Sequence, residues 1–276
     1  MDNEVKYIDI RKILSESNSK FLKSLPRFVT NIIARIIKED EMNRIMNKYK
    51  DCIGKDFLPK VIDELNIKVE ITGIENLPEN SRCFFVANHP FGIVDGLILT
   101  YIITNKYGTV KAIANEAFMY IPQLRPLIAA VNVFEGSSRE YLQALEEVYN
   151  GKDPISHFPA GEVSRKYHRK VEDCDWQKSF ISKAISSKRD IVPICFMGRN
   201  SNLFIFIFMF RKIFRIKTNI ELVLLPRELF NKKGKTIRVK IGKPIPWQTF
   251  DKSHSHFEWA QIVKKQVYSL WENSIK

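Results

Sequence analysis

The sequence predicts an α/β fold, a mixed β-sheet flanked by helices, with an N-terminal helical segment. Three observations support this prediction. Residues 1–62 have helical character, and short apolar runs of strand length alternate with helical segments from residue 67 onward. Hydrophobic residues make up 45% of the 276 positions, which is enough to fill a substantial core. Strands that alternate with helices along a chain are typical of layered α/β domains.

The N-terminal segment, residues 1–62, contains one clearly amphipathic stretch. Between residues 21 and 37, apolar side chains recur every three or four positions, and basic side chains fall mostly on the opposite side. This spacing predicts a helix with one apolar face. Two interpretations are open: the face packs on the main domain, or the helix lies on a membrane surface. Residues 63–276 are expected to form the main domain.

The elements of the main domain are predicted from apolar runs and from helical spacing. The expected strands are 67–71, 81–86, 110–114, 129–134, 155–158, 191–197, 221–225 and 236–241. The expected helices are 97–105, 139–149 and 176–186. Together they give the alternating order of a layered domain with a mixed sheet.

The formal net charge of +13 predicts an acidic partner. Nucleic acids, anionic membranes and phosphorylated or CoA-like substrates all attract such a protein. The sequence contains no zinc-finger spacing, no helix-turn-helix pattern and no basic arm, which argues against nucleic acid. The four cysteines are scattered without a Cys-x-x-Cys pair, so free thiols in a reducing compartment are expected.

Two features bear on membranes. The N-terminal residues are polar and lack the pattern of a secretory signal, and the longest apolar run, 203–210, is far shorter than the ~20 residues that span a bilayer. A cytoplasmic protein, soluble or peripheral, is therefore expected. Residues 199–217 combine basic side chains with phenylalanines and contain no acid. They predict either a buried element with a solvated basic end or a peripheral membrane contact.

The first candidate site is the segment 87–96, which directly follows the apolar run 83–86 and carries His89 and Asp95. Open α/β sheets place their chemistry at the carboxyl ends of strands. Pro90 keeps His89 out of a helix, and Asp95 falls in the first turn of the next one. A histidine oriented by a carboxylate is a common general base. The alternative is that Asp95 only caps the helix and His89 only occupies a turn.

The second candidate site is the segment 155–166. An apolar strand runs into a loop that contains Pro159 and Gly161 and ends in Arg165 and Lys166. Backbone N–H groups near Gly161 and the guanidinium of Arg165 are suited to hold a phosphate. The alternative is an ordinary loop with a solvated Arg-Lys pair.

Together, the two segments resemble the boxes of the PlsC-like lysophospholipid and glycerol acyltransferases. The similarity is greatest to a bacterial hemolysin-like branch, in which the first box reads Asn-His-Pro-Phe-Gly-x-x-Asp-Gly and the second Phe-Pro-Ala-Gly-x-x-Ser-Arg. The resemblance extends over roughly residues 65–250. It implies the acyltransferase fold for residues 63–276, a mixed sheet flanked by helices.

The chain departs from the common family pattern in both boxes. Five residues separate His89 from Asp95, where the common box has four. Ala160 stands where the second box has a glutamate, and Glu162 follows two positions later. The phosphate-binding arginine that the family carries after its third strand corresponds only to Arg139.

The resemblance implies an O-acyltransferase in which His89, oriented by Asp95, deprotonates the acceptor hydroxyl. The donor is acyl-CoA or acyl carrier protein, and the acceptor is a lysophospholipid or a related glycerolipid or aminolipid. A backbone N–H at Gly161 is expected near the oxyanion. Neither metal nor bound cofactor is expected, and the enzyme would lie on the inner, anionic face of the membrane. The implied substrate-binding residues are Asn88, Gly92, Arg139, Pro159, Gly161, Glu162, Ser164, Arg165 and Lys166.

Two other functions stay open at this stage. One is a non-catalytic membrane-associated protein, in keeping with the hemolysin-like label of the branch. The other is a basic nucleic-acid-binding protein, which the absence of a recognition motif disfavours. The intact pair of His89 and Asp95 favours the enzyme over both.

Overall fold

The computed structural model describes residues 4–16, 23–131, 139–167, 170–216 and 218–272. Its centre is a seven-stranded sheet, and a separate two-stranded hairpin lies beside it. The described strands are β1 (Lys68–Thr72), β2 (Phe84–Ala87), β3 (Lys111–Asn115), β4 (Ile128–Val131), β5 (Ile155–His157), β6 (Arg165–Tyr167), β7 (Lys170–Glu172), β8 (Ile191–Met197) and β9 (Thr236–Ile241).

The main sheet has the order β1-β9-β8-β2-β5-β3-β4, and β6 pairs with β7 in the hairpin. All neighbouring strands of the main sheet are parallel except β8 and β9, which makes the sheet mixed. Strand β2 lies between β5 and β8, with Val86 opposite both His157 and Pro193. The carboxyl ends of these three central strands therefore share one edge, where α/β folds place their sites.

Helices cover both faces of the sheet. They are α1 (Ile10–Glu16), α2 (Arg27–Ile36), α3 (Glu39–Lys48), α4 (Phe57–Glu64), α5 (Ile93–Tyr107), α6 (Arg139–Asn150), α7 (Ser179–Ser187), α8 (Asn202–Ile213), α9 (Leu225–Phe230) and α10 (His256–Glu272). Successive side chains of β2 point to opposite faces. Phe85 joins the core beneath α4 and α5, and Phe84 joins the core beneath α7 and α10. The predicted mixed sheet flanked by helices is confirmed.

Within the described residues, the helix predicted between residues 21 and 37 is interrupted, because residues 24–26 are not helical. Residues 17–22 lie outside the described part of the chain, and α2 begins at Arg27. Pro26 precedes it in an extended conformation, as the residue that caps the helix. Because proline lacks an N–H and its ring clashes with the preceding turn, a helix readily starts at proline but does not run through it.

The N-terminal helices share the core of the main domain. Met46 of α3 and Leu58 of α4 are buried in the same apolar cluster as the central strands. The boundary expected after residue 62 falls inside α4, which ends at Glu64.

The strand predicted at 221–225 is wrong. Ile220–Leu224 forms a 3-10 turn that continues into α9, where Pro226 occupies the first helical turn. A short apolar run does not distinguish a strand from a buried helical turn, and the proline favours the helix start. The hairpin of β6 and β7, which follows the second motif, was not expected from the sequence.

The apolar run at 203–210 belongs to the amphipathic helix α8. Phe204 and Phe208 are buried on one side, whereas Phe206 and Ile213 on the other side are 62% and 71% exposed. Within the ranges that the structure describes, no helix is long and apolar enough to cross a membrane.

A buried arginine completes the carboxyl end of α6. The side chain of Arg189 is fully buried. Its Nε donates to the carbonyl of Tyr149 at 2.9 Å, and its two terminal nitrogens donate to the carbonyls of Asp153 at 2.8 Å and Gly151 at 2.6 Å. The last carbonyls of a helix lack partners within the helix and carry partial negative charge. Arg189 therefore satisfies one of them, at Tyr149, together with two carbonyls of the loop that follows the helix.

We predict that Arg189→Met lowers the free energy of unfolding by about 3 kcal/mol or more, because three carbonyls lose the charged donor of a fully buried side chain. Chemical denaturation of the purified variant measures this. Lys60→Met, which removes an exposed cation from α4, is the control and should change stability by less than about 0.5 kcal/mol. Equal stabilities of the two variants would contradict the capping role.

Candidate active site

A sharp turn between β2 and α5 places the first motif. Strand β2 ends at Ala87, and α5 begins at Ile93. Gly92 lies between them with φ of +85°, and a Cβ atom there would approach Leu225 Cδ2 to 2.8 Å. Glycine alone tolerates both this positive φ and this close approach without strain. Gly92, which was expected to bind substrate, is buried and shapes the turn.

His89 and Asp95 come together on this turn. His89 Nδ1 lies 3.1 Å from Asp95 Oδ1, within ion-pair distance, and Nδ1 makes no hydrogen bond to any group in the described part of the chain. Asp95 is fully buried. Its Oδ2 accepts from the Phe91 N–H at 2.9 Å, and its Oδ1 accepts from the Gly96 N–H at 3.0 Å. The carboxylate thus fixes the turn and faces the imidazole.

The Phe158 ring, from the second motif, stacks on the imidazole of His89. The two ring centroids are 4.0 Å apart with an angle of 24° between the planes. The His89 side chain is 16% exposed, and Nδ1 is buried against Asp95, which leaves Nε2 facing outward. A neutral imidazole that donates through Nδ1 has a lone pair on Nε2. The arrangement is suited to remove a proton from an incoming hydroxyl.

Asn88 connects the first motif to β8. Its Nδ2 donates to the Phe196 carbonyl at 3.0 Å, and its Oδ1 accepts from the Phe196 N–H at 2.7 Å. The side chain is buried, so both ends of the amide are occupied by the main chain. Asn88, which was expected to bind substrate, therefore joins the carboxyl end of β2 to β8.

Asp173 joins the two motifs. Its Oδ1 accepts from the His89 N–H at 3.2 Å and from the Ser164 hydroxyl at 2.5 Å, and its Oδ2 accepts from the indole N–H of Trp176 at 2.9 Å. The Ser164 N–H in turn donates to the His89 carbonyl at 2.8 Å. Ser164, expected to bind substrate, is buried and holds the backbone of His89. No local pattern in the sequence distinguishes Asp173 from the other acids, so its role is visible only in the structure.

Asp173 is almost fully buried. Burial raises its pKa, whereas the hydrogen bonds from Ser164 and Trp176 act in the opposite direction. Helix α10 supports the same residue from behind. The Asp173 N–H donates to the Tyr268 hydroxyl at 2.9 Å, and Lys264 Nζ donates to the Asp173 carbonyl at 2.8 Å.

Comparison with known proteins agrees with this geometry. A family model described as Acyltransferase matches residues 12–276. This chain belongs to the acyltransferase family. A lyso-glycine lipid O-acyltransferase of Phocaeicola vulgatus is 41% identical over 270 residues, which cover 98% of this chain and 97% of that protein. A lyso-glycine lipid O-acyltransferase of Bacteroides thetaiotaomicron is 40% identical over 270 residues, which cover 98% of this chain and 99% of that protein.

A solved structure also matches the acyltransferase. The 1-acyl-sn-glycerophosphate (LPA) acyltransferase PlsC from Thermotoga maritima superposes with a TM-score of 0.48 and 20% identity, over 88% of each chain. The family model and the two relatives above confirm, at the level of the family, the resemblance to lipid acyltransferases that the two sequence motifs predicted.

The second motif of the acyltransferase forms a tight turn. Gly161 has φ of +68°, and its N–H donates to the Phe158 carbonyl at 3.0 Å. This N–H, which was expected near the oxyanion, is thus occupied within the turn. Pro159 is buried, and its carbonyl accepts from the Gln177 N–H at 2.9 Å. Both residues shape the turn that presents Phe158 to His89.

Arg165 of the acyltransferase is fully buried in an ion-pair network. Its Nε donates to Glu221 Oε1 at 2.8 Å, and one terminal nitrogen lies 2.8 Å from Glu162 Oε2 and donates to the Val163 carbonyl at 2.9 Å. Glu221 Oε2 also lies 3.0 Å from Arg211 Nε of α8. Arg165, expected to bind phosphate, and Glu162, expected to contact substrate, are thus paired with each other, and Glu221 joins Arg165 to Arg211 of α8.

Two further cations, Lys166 and Arg139, were expected to bind substrate. Lys166, the residue after Arg165, is exposed on β6. Arg139 is the first residue of α6, and its side chain lies outside the described part of the chain. Lys166 is therefore the expected substrate-binding cation that the structure does leave accessible.

His157 is a further titratable group near the site. Burial lowers the pKa of His157, at the end of β5, to about 4, with a smaller contribution from His89. His157 is consequently neutral at physiological pH. No cluster of three or more histidine, cysteine, aspartate or glutamate residues suited to a metal occurs within the described ranges.

We predict that Glu221→Gln lowers the free energy of unfolding by about 3–5 kcal/mol, because it removes a buried counter-charge of Arg165. Glu162→Gln is the matched control, because Glu162 pairs with the same arginine but its own side chain is 32% exposed. This variant should lose less than about 1 kcal/mol of unfolding free energy. Thermal and denaturant unfolding of both variants test this. Similar losses for the two variants would contradict the buried network.

Proposed function

We propose that this acyltransferase moves a fatty acyl group from a thioester donor to the hydroxyl group of a lyso-lipid, with His89 as the general base. The observation that carries the proposal is the pairing of His89 Nδ1 with the buried Asp95 carboxylate at 3.1 Å, with Nε2 left accessible. Membership of the acyltransferase family supplies the reaction class.

The proposed reaction is a direct transfer. Nε2 of His89 takes the proton from the acceptor hydroxyl as its oxygen attacks the thioester carbonyl. The tetrahedral oxyanion collapses, the carbon–sulfur bond breaks, and the proton on His89 passes to the leaving thiolate. Asp95 holds the imidazole in the tautomer that accepts at Nε2 and stabilises its charged form. The bond to sulfur is replaced by the ester bond, and no acyl-enzyme is required.

The substrates are proposed from the relatives. Both curated relatives are named lyso-glycine lipid O-acyltransferases and align over nearly their whole length. We therefore propose a lyso-glycine lipid as the acceptor of this chain. Acyl-CoA and acyl carrier protein both present a phosphopantetheine thioester, and either donor suits the proposed chemistry.

We also propose that the enzyme works at the surface of an anionic membrane, with α8 as the contact. Its exposed apolar side chains recur at three- and four-residue spacing and form one stripe. Phe206 and Phe214 are each 62% exposed, as a membrane-contacting helix requires. The stripe consists of Leu203, Phe206, Met209, Phe210, Ile213 and Phe214.

Charge complementarity favours a bilayer as the occupant of this stripe. Lys212 and Arg215 are exposed beside it, Arg199 precedes it, and the whole chain carries a formal net charge of +13. Basic side chains close to an anionic leaflet contribute about 1 kcal/mol each. A neighbouring apolar surface adds to the contact: α2, with Phe28 exposed, packs on the same 220–224 turn as α8.

We predict that His89→Ala reduces acyl transfer by about 10²–10⁴-fold, because the general base is lost, while thermal stability stays near that of the wild type. The measurement is mass spectrometry of the O-acylated product after incubation with a lyso-glycine lipid and, in parallel, acyl-CoA or acyl carrier protein. His254→Ala, at an exposed histidine outside the site, is the control and should keep full activity. Near-normal turnover by His89→Ala would overturn the assignment.

For the membrane contact, we predict that Phe206→Ser combined with Phe214→Ser weakens binding to phosphatidylglycerol-containing vesicles by about tenfold or more, because exposed aromatic area no longer enters the interface. Phe257→Ser, at a 46% exposed aromatic of α10, is the matched control. Co-sedimentation at low and high salt measures binding, and salt should weaken it. Unchanged binding by the double variant would rule out α8 as the contact.

A further inference from the structure

A groove next to the candidate active site has no role in the chemistry derived so far. It lies between the hairpin of β6 and β7 and the beginning of α8, and its volume is about 690 Å³. Basic, polar and apolar side chains share its lining. The lining residues are Lys166, Val171, Gly198, Arg199, Asn202, Ile205 and Phe206.

The two cations of the groove are available to a ligand. Lys166 and Arg199 are exposed, and neither side chain forms an ion pair with an acid anywhere in the described structure. Arg165, one residue before Lys166, has its charge balanced by Glu221 and Glu162 instead. The groove therefore concentrates uncompensated positive charge, which favours an anion.

Both walls of the groove are anchored to the segment that carries His89. On one wall, Lys166 follows two residues after Ser164, whose N–H donates to the His89 carbonyl at 2.8 Å. On the other wall, Gly198 lies so close to Phe91 that a Cβ there would approach its ring to 2.5 Å. Together these contacts put the groove beside the dyad.

Lys232 reinforces the second wall. Its Nζ donates to the Arg199 carbonyl at 3.0 Å and lies 4.4 Å from the centre of the Phe91 ring. The backbone that presents the Arg199 side chain is thereby fixed relative to the turn of the first motif. A guanidinium on a fixed backbone loses less conformational freedom when it binds an oxyanion.

The remaining lining of the groove is apolar and continues onto the stripe of α8. Ile205 and Phe206 belong to α8, and Phe206 is also part of the exposed stripe. A ligand in the groove thus meets cations at one end and an apolar surface at the other. This combination matches an amphiphile with an anionic headgroup.

We infer that this groove binds the anionic headgroup of the acceptor lipid, with Arg199 and Lys166 contacting a carboxylate and Phe206 contacting the adjoining chain. The inference rests on the proposed function and deepens it. Glycine joined to a fatty chain through its nitrogen keeps a free carboxylate, which a guanidinium binds through two parallel hydrogen bonds. The acceptor hydroxyl then lies towards His89.

The test compares Arg199→Ala, Lys166→Ala and the control Lys60→Ala, whose exposed cation lies on α4. Steady-state kinetics are measured against a lyso-glycine lipid and its methyl ester, and separately against the acyl donor. For the free acid, Arg199→Ala should raise KM by about 10- to 100-fold, and Lys166→Ala should raise it to a lesser extent. The KM of the donor should stay within about twofold, and Arg199→Ala should no longer distinguish acid from ester.

A binding measurement separates this inference from the proposed function. Titration of N-palmitoylglycine and its methyl ester into the full-length protein reports on the groove without turnover. Wild type and His89→Ala should both prefer the acid, and Arg199→Ala should lose that preference while Arg199→Lys keeps part of it. If the wild type shows this preference but transfers no acyl group, the proposed function fails and the groove assignment stands.

Two outcomes overturn the groove assignment. One is an increase of the donor KM, and not of the acceptor KM, in Arg199→Ala, which would make the groove a site for the donor phosphates. The other is an unchanged preference for the acid in Arg199→Ala and Lys166→Ala when wild-type turnover is normal. Unfolding temperatures of all variants within about 2 °C of the wild type show that binding changes are local.

Discussion

The buried carboxylate of Asp173 is the contact on which the candidate active site depends. A carboxylate removed from water must be satisfied by donors, and here the donors are the His89 N–H, the Ser164 hydroxyl and the Trp176 indole. These three groups come from the first motif, the second motif and the segment before α7. The backbone position of His89 is therefore set by a group that takes no part in the proposed chemistry.

With the backbone fixed, only the orientation of the imidazole remains to be determined. Asp95 engages one nitrogen of His89, and Phe158 covers one face of its ring. The second motif contributes this ring, because the tight turn at Gly161 and the buried Arg165 network hold Phe158 in place. Most residues of the two boxes thus stabilise the geometry of the dyad, which leaves substrate contact to side chains beyond them.

The fold was largely predictable, and the failures have identifiable causes. Alternation of apolar runs with helical spacing predicted the positions of the central strands along the chain, because burial on both faces produces continuous apolar runs. The turn at 220–224 was mistaken for a strand, since a short apolar run fits either element. The start of α2 at Arg27 depended on Pro26, whose effect on a helix outweighs periodicity.

By itself, the sequence determined the fold class, the acyltransferase family and the positions of His89 and Asp95, because these follow from local patterns and spacing. Only the tertiary structure decided which neighbours are free to bind a ligand. Arg165 and Lys166 are adjacent basic residues, yet one is buried against Glu221 and the other faces the groove with Arg199. Burial and partner choice depend on contacts between segments far apart in the chain, and no local pattern encodes them.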